Sequence, residues 1–363
     1  MRNLLFIGWF IGSLWLPAQG VTTKDCLTQL NAFQTKEEGF YPKGTFPTGR
    51  YWLNSEREED NGVFSTASVA YILRDIQKRK PDDQLDLIIS RAISSFENYR
   101  SRRGAPAYNY WQTIGDDLPF PNNKLLSRER LRLPDDYDDT AMIQLARGPN
   151  PLDQAVRDKM VAYAMRDKRK AVLRFPIEQH RSYEVWFADK MDQELDVVVM
   201  SNVLLFVMDR GYAWKTPDQH TALVLQSCID NAGYFKDPIA CSPHYNQAPL
   251  ILYHLARMVA ADKSDMFQPQ RARLILDLNT ALELTDHNIE KLLIATSLLR
   301  LGEKVSMELS YRDLLKDAKS FVYYSYDTPV MPILPKFYWR SEAVSWALIY
   351  EFLSFDPTVR WTD

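Results

Sequence analysis

Apolar residues recur along this chain with helical spacing in one segment after another, and the segments are of two kinds. Residues 62–73 are apolar or small nearly all round, the pattern of a helix buried on every side. Residues 82–99 instead carry one stripe, Leu85, Ile88, Ile89, Ala92, Ile93 and Phe96, beside charge. That is the pattern of a helix with one face in water. Buried-type segments return at 141–146, 197–208, 247–259, 289–301 and 343–353. Amphipathic ones lie at 23–33, 152–165, 219–232, 271–284 and 311–323. No stretch alternates convincingly with the two-residue period of a strand.

The two kinds alternate as surface-then-buried hairpins with a period of roughly 50 residues. Six buried helices ringed by six amphipathic ones predict an all-α fold, an (α/α)6 toroid of inner and outer helices filling residues 21–363 as one domain. An open helical solenoid is the other way to stack such hairpins, but it calls for more uniform repeats and shorter loops. Here long, aromatic-rich connections (104–132, 168–196, 233–245) lead into the buried helices, and short ones (148–151, 302–304) lead out. Long connections in a compact domain are usually functional, so functional residues are expected where the inner helices begin.

Ahead of this pattern, Met1-Arg2-Asn3, an apolar run over 4–16 and Ala18-Gln19-Gly20 have the form of a secretory signal over residues 1–20. The chain is therefore expected to be secreted or periplasmic, with an uncleaved anchor as the alternative. After Val21 no run is long and apolar enough to span a bilayer. In an oxidising compartment Cys228 and Cys241 could close a short loop and leave Cys26 unpaired; the sequence leaves that open. A net charge of -3 with no basic stripe argues against nucleic acid as a partner.

The start of the second buried helix carries the strongest chemical signal. Leu133-Pro134-Asp135-Asp136-Tyr137-Asp138-Asp139-Thr140 packs four carboxylates into five residues just before an apolar run. Acids suit the positive end of a helix and its unpaired N–H groups. Four of them repel one another, which raises the pKa of at least one. Polar or aromatic residues open the other buried helices too: Asp60 and Asn61; Asp192, Glu194 and Asp196; His244, Tyr245 and Asn246; Asp286, His287, Asn288 and Glu290; Trp339, Arg340, Ser341 and Glu342. Capping explains any one of these. It does not explain the excess charge at 135–139.

Asp136-Tyr137-Asp138-Asp139-Thr140-Ala141 resembles the Asp-x-Asp-Asp-Thr-Ala signature of class II terpene cyclases. The wider helical pattern, with stretches such as 196–204 and 339–344, is similar to the superfamily those enzymes share with protein prenyltransferase β-subunits. The resemblance implies that Asp138, the middle acid, is a general acid whose geometry and proton are kept by Asp136 and Asp139. It also implies an aromatic-lined bore, for which Trp111, Trp186, Tyr245, Tyr338 and Trp339 are the candidate rings. Asn202 and Glu194 are candidate polar contacts for a substrate. The companion Gln- and Trp-containing motifs of squalene-type cyclases are not visible here. Nor does an Asp lie two residues before any Cys, as the prenyltransferase zinc site requires.

Two other classes fit the same residues. In a secreted carbohydrate-active toroid, Asp138 with Asp192, Glu194 or Asp196 would flank a glycosidic bond. In a non-catalytic binding toroid the acids would only cap and solvate. Asp135, Asp136 and Asp139 also read as the Asp-Asp-x-x-Asp of class I terpene synthases, and such oxygens suit a hard cation. The five histidines show no metal spacing, and neither a phosphate loop nor a Gly-x-Ser-x-Gly elbow is present. No metal and no cofactor are expected. The expected ligand is a small molecule or glycan in the central bore.

Overall fold

The computed structural model describes residues 20–52, 56–114, 133–166, 171–172, 181–188, 193–326 and 337–362. The signal segment apart from Gly20, Asp192, and most of the loops 104–132 and 168–196 lie outside the described residues.

Fourteen helices are described. They are α1 (Thr23–Phe33), α2 (Phe64–Arg79), α3 (Asp83–Ser95), α4 (Tyr137–Arg147), α5 (Asp153–Ala164), α6 (Val197–Asp209) and α7 (Thr216–Asp230). After the four-residue α8 (Gly233–Lys236) and α9 (Pro238–Cys241) come α10 (Ala248–Ala261), α11 (Gln268–Leu284), α12 (Asn288–Arg300), α13 (Tyr311–Ser320) and α14 (Glu342–Leu353). Every residue is buried over 64–73 in α2, 137–146 in α4, 197–207 in α6, 250–259 in α10 and 343–352 in α14. A helix apolar or small on all faces has no side to offer water, so neighbours must cover it all round. α2 packs on α4, α4 on α6, α6 on α10, α10 on α12, α12 on α14, and α14 back on α2.

The amphipathic helices each bury one stripe against this set. α3 hides Leu85, Ile88, Ile89 and Ala92 against α2 and leaves Leu87 half exposed. α1 packs on α14, α5 on α4, α7 on α6, α11 on α10 and α12, and α13 on α12 and α14. A capping box starts α1: Thr22 and Asp25 satisfy each other's backbone N–H. No helix among the described residues is long and apolar enough to cross a membrane.

The expectation of an all-α chain needs correcting, because helix makes up 58% of the structure and strand 10%. Strands β1 (Thr48–Trp52), β2 (Glu58–Asp60), β3 (Ala171–Val172), β4 (Gln193–Glu194), β5 (Ser306–Ser310), β6 (Tyr324–Tyr326), β7 (Phe337–Arg340) and β8 (Thr358–Thr362) lie between the helices. One sheet has the order β2-β1-β7-β6, all neighbours antiparallel, with Arg50 opposite Trp339 and Tyr324 opposite Trp339 on its other side. These strands are short, and β1 and β7 lie at opposite ends of the chain. No local periodicity can announce such a pairing.

α4 ends at Gly148, whose φ of 71 and ψ of -172 is backbone that only glycine adopts readily. An added Cβ there would also run into the guanidinium of Arg74. Gly148→Ala is expected to cost about 2 kcal/mol, read as a lower urea midpoint with unchanged slope. A midpoint within error of the unaltered protein would sink that expectation.

Candidate functional site

The acid cluster divides at the start of α4. Asp136 is its N-cap: extended backbone sets its Oδ1 to accept the Asp139 N–H at 2.7 Å. Thr140 locks the turn, its hydroxyl donating to the Asp136 carbonyl at 2.6 Å and accepting the Tyr108 N–H at 3.0 Å. For Asp136, then, the capping explanation is right. Asp135 stands apart, partly exposed, and accepts the Ser101 hydroxyl at 2.6 Å.

Asp138 points elsewhere. It is 6% exposed; its Oδ1 accepts from Asn202 Nδ2 at 2.7 Å, and its Oδ2 accepts from the Tyr245 hydroxyl. Asn202 sits on the second turn of α6, and Tyr245 on the loop into α10. Behind them the polar line continues into helices that are otherwise apolar. Asn202 Oδ1 accepts from Arg257 Nη2 at 2.5 Å and lies 2.9 Å from His254 Nδ1. The Arg257 guanidinium rests over the ring of Tyr71 on α2, 4.7 Å from its centroid. One buried polar strip thus joins α4, α6, α10 and α2.

Burial pushes the Asp138 carboxyl up from its ordinary 3.8 to about 6, against the opposing pull of its two donors. The nearby Asp196 adds to the rise. Asp136 and Asp139, both buried, are raised as well, and burial comes first for each. Asp139 then adds to the rise of Asp136; for Asp139 the Asp136 hydrogen bond opposes the rise while the Asp138 charge adds to it. Two adjacent buried carboxylates cannot both ionise cheaply. Burial and Arg257 keep His254 neutral.

A second acid stands nearby. Glu194, on β4, accepts from Trp186 Nε1 at 2.8 Å and lies 3.5 Å from His244 Nε2. Burial alone would lower the His244 pKa, but Glu194, Asp196 and Asp138 around it outweigh burial and raise it. Asp196 caps α6 through the N–H groups of Val198 and Val199. It also accepts the Ser242 hydroxyl at 2.6 Å and the His244 N–H at 3.0 Å, so it fixes the loop that carries Tyr245.

Aromatic rings close over these acids. Asp60, fully buried, accepts from both Trp111 Nε1 at 3.3 Å and Trp339 Nε1 at 3.0 Å, fixing the two indoles together. Tyr324 is central to the layer: its ring centroid lies 4.9 Å from Trp339, 5.4 Å from Tyr245, 5.6 Å from His244 and 5.8 Å from Phe64. Its hydroxyl is 3.0 Å from His244 Nδ1.

Asp138, Asn202 and Tyr245 are therefore in direct contact. Glu194 and Trp186 reach the same place through His244, while Trp111 and Trp339 reach it through Asp60 and Tyr324. Tyr338 does not: strand alternation turns it to the other face of β7, stacked on Tyr51 at 5.5 Å. Asn288 and Glu290, at the start of α12, engage Asp317 and Thr285 instead. His254, Arg257 and Tyr324 escaped the sequence reading. For Arg257 a signal existed, since an arginine inside an apolar helix with no face to water must have a buried partner. Tyr324 had none, because a strand pairing set its place.

Among the described residues no group of three or more His, Cys, Asp or Glu is arranged to hold a metal ion. Comparison with protein families, characterised proteins and solved structures finds no match.

The donors on Asp138 can be tested directly. Tyr245→Phe removes one that favours the carboxylate, so the Asp138 titration midpoint is expected to move upward from about 6. A rise of about one pH unit is expected. Carboxyl carbon NMR shifts followed against pH would show it, and an unmoved midpoint would refute the assigned contact.

Proposed function

We propose that the helices form an (α/α)6 toroid and that Asp138, at the rim where the inner helices begin, is the general acid–base of an enzyme acting on a hydroxyl-rich, carbohydrate-like substrate. The toroid reading is supported by the closed succession of packings from α2 through α4, α6, α10, α12 and α14 back to α2.

The observation that carries the functional reading is the setting of Asp138. It is a buried carboxyl pushed to about 6, with a neutral donor on each oxygen. An acid of that strength is poised to exchange a proton with oxygen near neutral pH. Protonating a bare alkene calls for a much stronger acid, and donors on both oxygens favour the ionised form. Glu194, with Trp186 and His244 beside it, is the second carboxylate such chemistry uses. Trp111, Trp339 and Tyr324 offer the flat faces on which sugar rings stack. The apolar segment near the N-terminus supports export, which would put extracellular glycans within reach.

An acid-initiated cyclase or isomerase is the second reading. It is favoured by the Asp-x-Asp-Asp-Thr-Ala signature, by the raised carboxyls of Asp136 and Asp139, and by rings able to face a carbocation.

The test is to incubate the full chain with neutral oligosaccharides and, separately, with acyclic isoprenoids, using Asp138→Asn as the control. New reducing ends or unsaturated sugar ends that vanish in the variant support the first reading. Isoprenoid conversion alone moves support to the second. No turnover of either class overturns both.

A further inference from the structure

We propose that Cys228 and Cys241 form an intrachain disulfide that fixes the segment 242–245 against α7. This inference stands whatever chemistry Asp138 performs.

Cys228 lies on the inward face of α7 among Leu225 and Ile229, and Cys241 closes α9. Both thiols are buried, and their sulfurs are 2.7 Å apart. Two side chains converging head-on are within reach of the roughly 2.05 Å disulfide bond. Among the described residues neither thiol belongs to a group arranged to hold a metal ion.

The residues just beyond Cys241 give the bond its consequence. The Ser242 hydroxyl and the His244 N–H donate to Asp196, and Tyr245 donates to Asp138. Between α7 and these residues stand only α8 and α9, four residues each, too short to hold position by themselves. Covalent closure of the span from 228 to 241 therefore anchors the loop that supplies His244 and Tyr245.

The reaction is thiol–disulfide exchange with a disulfide oxidant, either a glutathione-type disulfide or an oxidoreductase. One cysteine thiolate attacks the oxidant and expels a thiol; the other attacks the mixed disulfide and expels the second. Two protons and two electrons pass to the oxidant, which leaves as two thiols. The neighbouring Cys228 and then burial push the Cys241 thiol up, which keeps it protonated and so unreactive in the closed structure. Exchange accordingly belongs to folding, before the 231–245 loop closes.

The experiment folds the full chain with oxidised glutathione, then denatures and alkylates it without reductant. The expected product carries one label, on Cys26, and gains two more labels after reduction. Three labels without reductant overturn the bond. Hydrogen exchange then reads its effect. The His244 amide is expected to exchange at least about tenfold faster in reduced protein and in the Cys228→Ser/Cys241→Ser variant, with α12 amides unchanged. Equal exchange in oxidised and reduced protein overturns the link to the site. If the double variant does not fold, the oxidised and reduced forms of the unaltered chain supply the same comparison.

Discussion

Asp138→Asn is expected to lose turnover by about a thousandfold and, at the same time, to gain stability at neutral pH. The gain comes from linkage. In the unfolded chain this carboxyl titrates near 3.8, and in the folded chain burial raises it to about 6. Below the unfolded value both states hold the proton, and the fold bears no cost. As pH climbs through the interval the unfolded chain ionises first, so folding must keep an acid protonated or bury its charge. Above the folded value the cost is complete, about 3 kcal/mol from the size of that shift. Asparagine removes it and keeps the contacts: its oxygen still accepts from Asn202, and its NH2 can donate to the Tyr245 hydroxyl. Urea unfolding at several pH values would show the variant and the unaltered protein alike near pH 4 and diverging toward pH 7. A variant less stable at pH 7 would mean that Asp138 is structural. A stable variant with undiminished turnover would mean that it is not the acid.

The same residue shows how far the sequence could be read. The all-round apolar runs marked the fully buried helices because burial on every side leaves no other pattern, and 137–146 and 343–352 are buried without a break. The crowding of Asp135, Asp136, Asp138 and Asp139 could be seen too, but not its division of labour. Asp136 became the cap because it stands just before the helix in extended backbone, and Asp138, inside the first turn, became the inward acid. That is a geometric fact the spacing alone cannot assign without knowing which face meets α6 and α10. The rings were harder. Trp339 and Tyr324 meet through a cross-strand pair, and Trp339 meets Trp111 through Asp60. Such contacts depend on tertiary closure between distant segments, and composition reports the abundance of aromatic residues without their arrangement.

The largest loss of stability is expected at the opposite end of the same helices, where Arg300→Met should cost about 3–5 kcal/mol. Arg300, on α12, donates to Asp75 of α2 at 2.6 Å and, through Nε, to Glu351 of α14 at 2.9 Å. Glu351 is fully buried and also accepts the Tyr253 hydroxyl of α10 at 2.6 Å. One guanidinium thus ties α12 to both α14 and α2, and α14 itself packs on both α12 and α2. Methionine would fill most of the space but leave the Glu351 charge buried without its cation. If that uncompensated charge is the cause, Arg300→Met/Glu351→Gln should recover much of the loss, because the second change removes the orphaned charge. The pH dependence separates this end from the other. Asp75 is pulled from 3.8 to about 2: burial opposes the shift, but Arg300 and then Arg79 outweigh it. A lowered carboxyl contributes stability above its unfolded value and loses it as pH falls through the folded one, so this contribution fades between about pH 4 and pH 2. The cost at Asp138 grows only above that window. Arg300→Met should therefore flatten the acid limb of the stability curve, and Asp138→Asn should flatten the limb above it. A loss under about 1 kcal/mol in Arg300→Met, or no recovery in the double variant, would show that the network is not what closes the helices.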